Sequence, residues 1–196
     1  MPSINPERMI RNVFFCMLII GLLALPGCQR DREYSAELYV FGTIVEVKTW
    51  GSTREVSENA FASLQEMFQG MHSDWHAWEP GLLVSVNEAF ASGQVATADE
   101  AIVEMVRRSQ LIEERTAGRF NPAIGGLVGL WGFHTSVYPI IGPPPDQAGI
   151  DRWIVHQPSS LDIRIDGVQL VSGNPYVQLD FGGIAKGYAV DLAVRQ

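Results

Sequence analysis

Gln178-Leu179-Asp180-Phe181-Gly182-Gly183-Ile184-Ala185-Lys186-Gly187-Tyr188 is the segment whose residue types are best suited to chemistry. An alternating apolar run delivers Asp180 to a Gly-Gly turn, and a helical pattern starts at Ile184. Glycines let backbone N–H groups come close to a ligand. The first turn of a helix adds unpaired donors and a partial positive charge, a combination that suits phosphate. Lys186 adds a point charge in that first turn, and Asp180 can accept from a ligand N–H or hydroxyl. The same pattern also serves tight strand–helix packing with a solvated lysine, and spacing alone does not separate the two. The Walker sequence G-x-x-x-x-G-K-[ST] is absent.

A second constellation runs from Gly118-Arg119-Phe120-Asn121-Pro122 to Leu130-Trp131-Gly132-Phe133. Glycine, aromatic and amide groups together can wrap a planar heterocycle. A core aromatic loop fits the composition equally well. His72 and His76 stand four apart with Glu79 nearby, a metal-ligand spacing on a helix. The helical pattern is expected to end near Met71, which makes them solvated or core-edge histidines. His134 and His156 have no partner in sequence, and no G-x-S-x-G or H-E-x-x-H pattern occurs.

The elements that must position these residues follow from periodicity. Residues 36–50 are rich in Val, Ile, Tyr, Phe and Thr and predict a strand interrupted at Gly42 by a bulge or close approach. Ser52 to Glu55 fits a capping box, followed by apolar residues at helical spacing to Met71. Residues 73–92 predict irregular surface. Thr97 to Glu100 gives a second capping box, opening a helix that Gly118 stops. Residues 119–145 predict loop and short helix. Leu161–Ile165 and Val168–Val171 flank Asp166-Gly167, the strongest hairpin signal in the chain. Residues 176–181 predict another strand. Strands and helices mix without a βαβ rhythm, so the fold class is α+β.

The chain has 196 residues, 46% apolar and 18% charged, enough to bury a core. Its net charge of −8 disfavours nucleic acid, because phosphate contacts need clustered cations. The two cysteines are Cys16 and Cys28, so nothing beyond residue 28 can form a disulfide or a zinc–thiolate site. Residues 1–28 read as a secretory leader: Arg8 and Arg11, then an apolar run from Val13 to Pro26 that is short for a spanning helix. Leu25-Pro26-Gly27-Cys28 resembles the lipobox of bacterial lipoproteins, which implies lipidation at Cys28 and a place in the cell envelope on the periplasmic face of the inner or outer membrane. Residues 29–35 read as a polar tether. With the leader's net +1 removed, the remainder carries −9. Residues 36–196 form the remaining body. The chain stops inside the last helical pattern without a stop signal and reads as truncated.

The motifs together resemble the ApbE family, bacterial FAD:protein FMN transferases. Phe41-Gly42-Thr43 resembles M-G-T. His76-Ala77-Trp78-Glu79-Pro80 with Ser85-Val86-Asn87 resembles S-T-Y-x-P with S-x-x-N. Gly118–Pro122 with Leu130–Phe133 resembles G-x-F-D-P with L-W-G-F. Leu179–Asp191 resembles D-L-G-G-I-A-K-G-Y-x-V-D. The resemblance implies an ApbE-like, T-fold-like domain of mixed or antiparallel sheets with flanking helices, here without its C-terminal part. It implies FAD as substrate, held at Phe41, Trp78, Arg119, Phe120, Asn121, Asp180 and Lys186, with Asp180 and Lys186 also serving catalysis. It implies Mg²⁺ bound partly through the carbonyl of Gly183. The implied partner is a target flavoprotein subunit of a membrane redox complex that offers a Thr or Ser hydroxyl. The chain departs from the family pattern at Phe41 for Met, Trp78 for Tyr and Asn121 for Asp, and it lacks the family's H-x-x-D-P-x-T-G and D-A-x-x-T segments. Two other readings are a non-catalytic FAD-binding lipoprotein or inactive fragment, and a structural lipoprotein without ligand.

Overall fold

The computed structural model describes residues 32–196, together with Phe14, Phe15 and Met17. Cys28 and the lipobox lie outside the described residues. The architecture is α+β: two small antiparallel sheets with helices packed around them.

Strands β1 (Glu33–Val40) and β2 (Thr43–Trp50) form an antiparallel hairpin, with Val40 opposite Thr43. The single bulged strand expected over residues 36–50 is thus two strands. Phe41 and Gly42 both take positive φ, +54° and +65°, and two such residues in succession reverse the chain where a bulge would only bend it. The first strand also takes in Glu33–Ser35, which the sequence assigned to the tether. Leu38 and Val40 are buried and Val45 and Val47 half-buried, so one face of the hairpin packs on the core.

Helix α1 (Arg54–Asp74) is capped by Thr53, whose hydroxyl accepts from Val56 N at 3.3 Å. The expected cap, Ser52, instead places its hydroxyl 2.7 Å from that of buried Ser57. The helix continues one turn past Met71, and Trp75, at its end, is buried in the core. Residues 82–91 correct a second expectation: α2 (Leu82–Ala91) is a helix, with Leu83, Val86, Asn87 and Phe90 turned inward. That i, i+3, i+4, i+7 pattern is helical. The turn residues and aromatics of 73–81 obscure it.

After the short strand β3 (Ala96–Thr97), Asp99 caps α3 (Glu100–Arg115) by accepting from Ile102 N at 2.7 Å, so Thr97 is strand and not cap. Gly118, at φ +74°, ends this helix as expected, its N–H bonded to the Glu113 carbonyl. Helix α4 (Gly125–Leu130) lies inside the Gly-rich loop, and α5 (Gln147–His156) is capped by Asp146. A 3-10 turn (Ser160–Asp162) leads into β4 (Ile163–Asp166) and β5 (Gln169–Ser172), joined through Gly167 at φ +58°. The sheet order is β3-β5-β4, all antiparallel.

Residues 176–181 form no strand of either sheet. They run parallel to residues 122–125: Asp180 N donates to Pro122 O, Gln178 N to Ala123 O, and Gly125 N to Gln178 O at 2.7 Å. A Cβ on Gly125 would lie 2.7 Å from that carbonyl, so the pairing requires glycine there. Val177, Leu179 and Phe181 point into the core beside Leu83, Phe90, Ile102 and Met105, while Gln178 and Asp180 point the other way. The run ends in α6 (Ala185–Ala193).

One buried carboxylate ties α3 to the 3-10 turn. Glu113 accepts from Ser159 Oγ at 2.7 Å, from Ser160 N at 3.0 Å and from the Ser160 hydroxyl. Glu113→Ala leaves these donors without a partner in a water-free place, at ~1–3 kcal/mol per group. Its expected effect is a loss of about 3 kcal/mol of stability, read as a lowered urea midpoint; an unchanged midpoint contradicts it.

Candidate active site

A cavity of about 610 Å³ opens between the β1–β2 loop, the C-terminal end of α1, the loop after α4 and the turn before α6. Phe41, His72, Trp75, His76, Trp78, Asp180, Gly182 and Lys186 line it, with Thr135, Ser136 and Tyr138 on the loop side. Four of the seven residues at which the family resemblance implies FAD contacts, Phe41, Trp78, Asp180 and Lys186, line this one cavity.

Phe41 owes its position to the hairpin loop. A bulky residue at φ +54° costs about 1–2 kcal/mol, and the ring is held by what it packs on. It lies parallel to Trp75 at 6.3 Å and edge-on to Phe68 at 5.8 Å. The hairpin thus aims an aromatic ring at the cavity mouth. Trp78 is partly exposed, with His76 edge-on to it at 4.1 Å and His134 stacked on it at 4.9 Å and 15°. These rings build an aromatic wall.

Polar groups complete the lining. Asp180 Oδ1 accepts from Gly182 N at 2.9 Å, closing an Asx-type turn that shapes the Gly-Gly segment. Its Oδ2 lies 3.1 Å from His134 Nε2. A carboxylate has about four acceptor sites, so Asp180 retains capacity for a ligand. Phe181 O accepts from both Ile184 N and Ala185 N. Among the described residues, the N–H groups of Gly183, Lys186 and Gly187 have no acceptor, and Lys186 makes no ion pair. Three free donors and an ammonium group therefore stand at one helix N-terminus beside the cavity.

Other sequence candidates fall elsewhere. Arg119 is exposed and donates to Thr116 O. Phe120 packs behind the turn: a Cβ on Gly183 would lie 3.2 Å from its ring. Asn121 braces the loop, its Nδ2 donating to Pro158 O at 2.7 Å and its Oδ1 accepting from Ala123 N at 2.8 Å. None of these three lines the cavity; Asn121 is bonded into the segment that pairs with residues 176–181. Among the described residues no group of three or more His, Cys, Asp or Glu side chains is placed to hold a metal ion. Gly183 is solvent-exposed, at the turn itself.

His72, His76 and His134 belong to the site, although the sequence placed the first two at a solvated or core edge and gave the third no partner. Helix α1 runs a turn farther than its periodicity suggested, and that turn carries both His72 and the approach to His76. His134 meets Asp180 across 46 residues of sequence, a juxtaposition that no local pattern signals.

Burial lowers the His76 pKa below the ordinary 6.5, with the Glu79 charge opposing. Its Nδ1 also accepts from Glu79 N at 3.0 Å, a bond only the neutral ring can accept. Because the folded value is the depressed one, the unfolded chain takes up a proton first as pH falls. Folded stability is therefore expected to decline as pH drops below about 6.5. Urea midpoints at pH 7 and pH 5 should differ less in His76→Gln than in the wild type; equal differences contradict this.

With this geometry in place, comparison with known proteins gives a consistent result. Residues 41–196 match the family model described as the ApbE family. The chain belongs to the ApbE family. It is 39% identical over 165 residues to the FAD:protein FMN transferase of Rhodobacter capsulatus, covering 82% of this chain and 30% of that protein. It is 30% identical over 196 residues to the FAD:protein FMN transferase of Treponema pallidum, covering 94% of this chain and 51% of that protein. Two solved ApbE structures share the fold. The ApbE protein of Thermotoga maritima superposes with a TM-score of 0.72 at 22% identity, over 84% of this chain and 52% of that one. The flavin transferase ApbE of Vibrio cholerae gives 0.71 at 18% identity, over 84% and 53%. The chain thus spans about half the length, or less, of the ApbE relatives it matches.

Proposed function

We propose that this protein is an FAD:protein FMN transferase, which moves the FMN half of FAD onto a Thr or Ser hydroxyl of a target flavoprotein and releases AMP. In that reaction the hydroxyl oxygen bonds to the FMN phosphorus, the bond from that phosphorus to the AMP oxygen breaks, and the hydroxyl proton is lost. Phosphoryl transfer asks the protein mainly for positioning and charge neutralisation.

One observation carries the reading: an aromatic wall and an uncommitted cationic corner share one cavity. Phe41 and Trp78 offer flat faces to a ring system. Lys186 lines the same cavity, and the free N–H groups of Gly183, Lys186 and Gly187 at the start of its helix are the donors proposed for a pyrophosphate attached to that ring. In a chain of net charge −8 an anionic substrate needs such a local exception. Asp180 keeps the turn in the shape that presents these donors.

Magnesium, which the family resemblance implies, belongs to the proposal as the metal that would neutralise phosphate charge. The Gly183 carbonyl is this chain's contribution. The described residues do not by themselves make a magnesium site. The proposal also places the protein on the periplasmic face of the cell envelope, held by lipid on Cys28, acting on a flavoprotein subunit of a membrane redox complex. The lipobox-like segment supports that location.

The test is incubation of the full-length gene product with FAD, Mg²⁺ and a candidate acceptor subunit, followed by denaturing electrophoresis and in-gel flavin fluorescence. A fluorescent acceptor band is expected. A folded protein that leaves the acceptor dark contradicts the reading, and FAD binding without AMP release points to a non-catalytic flavin-binding lipoprotein.

A further inference from the structure

We infer that His134 is a positioning residue of this site, locking Asp180 and Trp78 into the arrangement that receives FAD. The inference rests on the flavin-transfer reading. His134 does not line the cavity; it stands behind two residues that do. Its Nε2 lies 3.1 Å from Asp180 Oδ2, and the two side chains are only 13% and 17% exposed, so water competes weakly for the contact. The same imidazole stacks on Trp78 at 4.9 Å and 15°. One ring thus joins the polar lining to the aromatic wall.

The surroundings are shaped around it. A Cβ on Gly129 would lie 2.8 Å from His134 Nδ1, so glycine in α4 leaves the room the ring occupies. Gly132, at φ +82°, turns the chain back so that residue 134 reaches Asp180. Asp180 spends its other oxygen on Gly182 N. An imidazole that fixes this carboxylate therefore also fixes the Gly-Gly turn at the edge of the cavity. The motif that ends at Phe133 did not include this residue.

Two variants separate the contacts in the full-length gene product. His134→Phe keeps a ring on Trp78 and removes the hydrogen bond; His134→Gln keeps a donor for Asp180 and removes the stack. His134→Phe is expected to lower kcat/KM for FMN transfer about tenfold, the size of one hydrogen bond to a charged group. His134→Gln should restore most of that loss. Combining His134→Phe with Asp180→Asn should cost no more than the worse single change, because the two residues act as a unit. In the wild-type protein the imidazole nitrogen NMR resonances of His134 should move when FAD binds, a readout that requires no variant to fold. Wild-type kinetics in His134→Phe, additive effects in the double variant, or resonances that stay in place overturn the inference while leaving the flavin-transfer reading intact. A wild-type protein that neither binds FAD nor transfers FMN overturns both.

Discussion

Asp180→Ala is expected to lower FMN transfer by about 100-fold, the cost of misplacing a reacting group by about an ångström. The carboxylate does two jobs at once: it accepts from Gly182 N and it meets His134 Nε2. Alanine removes both. The turn between residues 180 and 183 then loses its internal tie, and the helix start that follows it is no longer fixed from that side. Asp180→Asn is the informative companion. Its Oδ1 can still accept from Gly182 N, so the turn keeps its shape and only the charge is lost. Steady-state rates of acceptor labelling should rank wild type above Asn and Asn above Ala. Circular dichroism of each variant shows whether the fold is kept, as expected for a side chain that faces the cavity and not the core. Equal rates for Ala and wild type contradict the assignment.

Lys186→Ala is expected to weaken FAD binding by ~10–100-fold, the range for a hydrogen bond to a charged partner. Riboflavin, which has the ring but no phosphate, should bind the variant almost as well as the wild type. The difference arises from geometry: Lys186 sits in the first turn of α6 and lines the same cavity as the Phe41 and Trp78 rings. Flavin fluorescence titrations with both ligands measure it directly. An equal loss for the two ligands assigns Lys186 to something other than phosphate. Raising the salt concentration should reduce the wild-type preference for FAD over riboflavin, because an exposed ammonium is screened.

The parts of the fold that were legible in sequence are those set by local chemistry. Asp180-Phe181-Gly182-Gly183 could be read as a turn feeding a helix, because glycine and the apolar period are both local signals, and α6 begins within a residue of expectation. The Gly167 hairpin and the Gly118 helix stop follow from the same kind of signal. The misreadings have a common physical origin. At residue 41 a bulky side chain occupies a left-handed position that propensity assigns to glycine or asparagine, so the hairpin read as one strand. At Ser52 and Thr97 the capping-box pattern was present, but Thr53 and Asp99, one and two residues on, are the side chains that reach the free N–H groups. Residues 176–181 read as a sheet strand because they alternate; they pair instead with residues 122–125, a partner more than fifty residues away.

The site divides along the same line. Phe41, Trp78, Asp180 and Lys186 line one cavity. Asn121, in contrast, lies outside that cavity and spends both ends of its amide on the backbone of Pro158 and Ala123. His76 reads in sequence as a solvated or core-edge residue because the helix is expected to end near Met71, and His134 is left without a partner there because its contact with Asp180 is tertiary.

The most direct measurement is a crystal structure of the full-length gene product bound to FAD. The account requires the pyrophosphate oxygens to lie within hydrogen-bond distance of backbone N–H groups between Gly183 and Gly187, with the Lys186 ammonium beside them and an aromatic ring of the ligand against Phe41 or Trp78. A cofactor seated elsewhere, with water alone at that helix start, contradicts it.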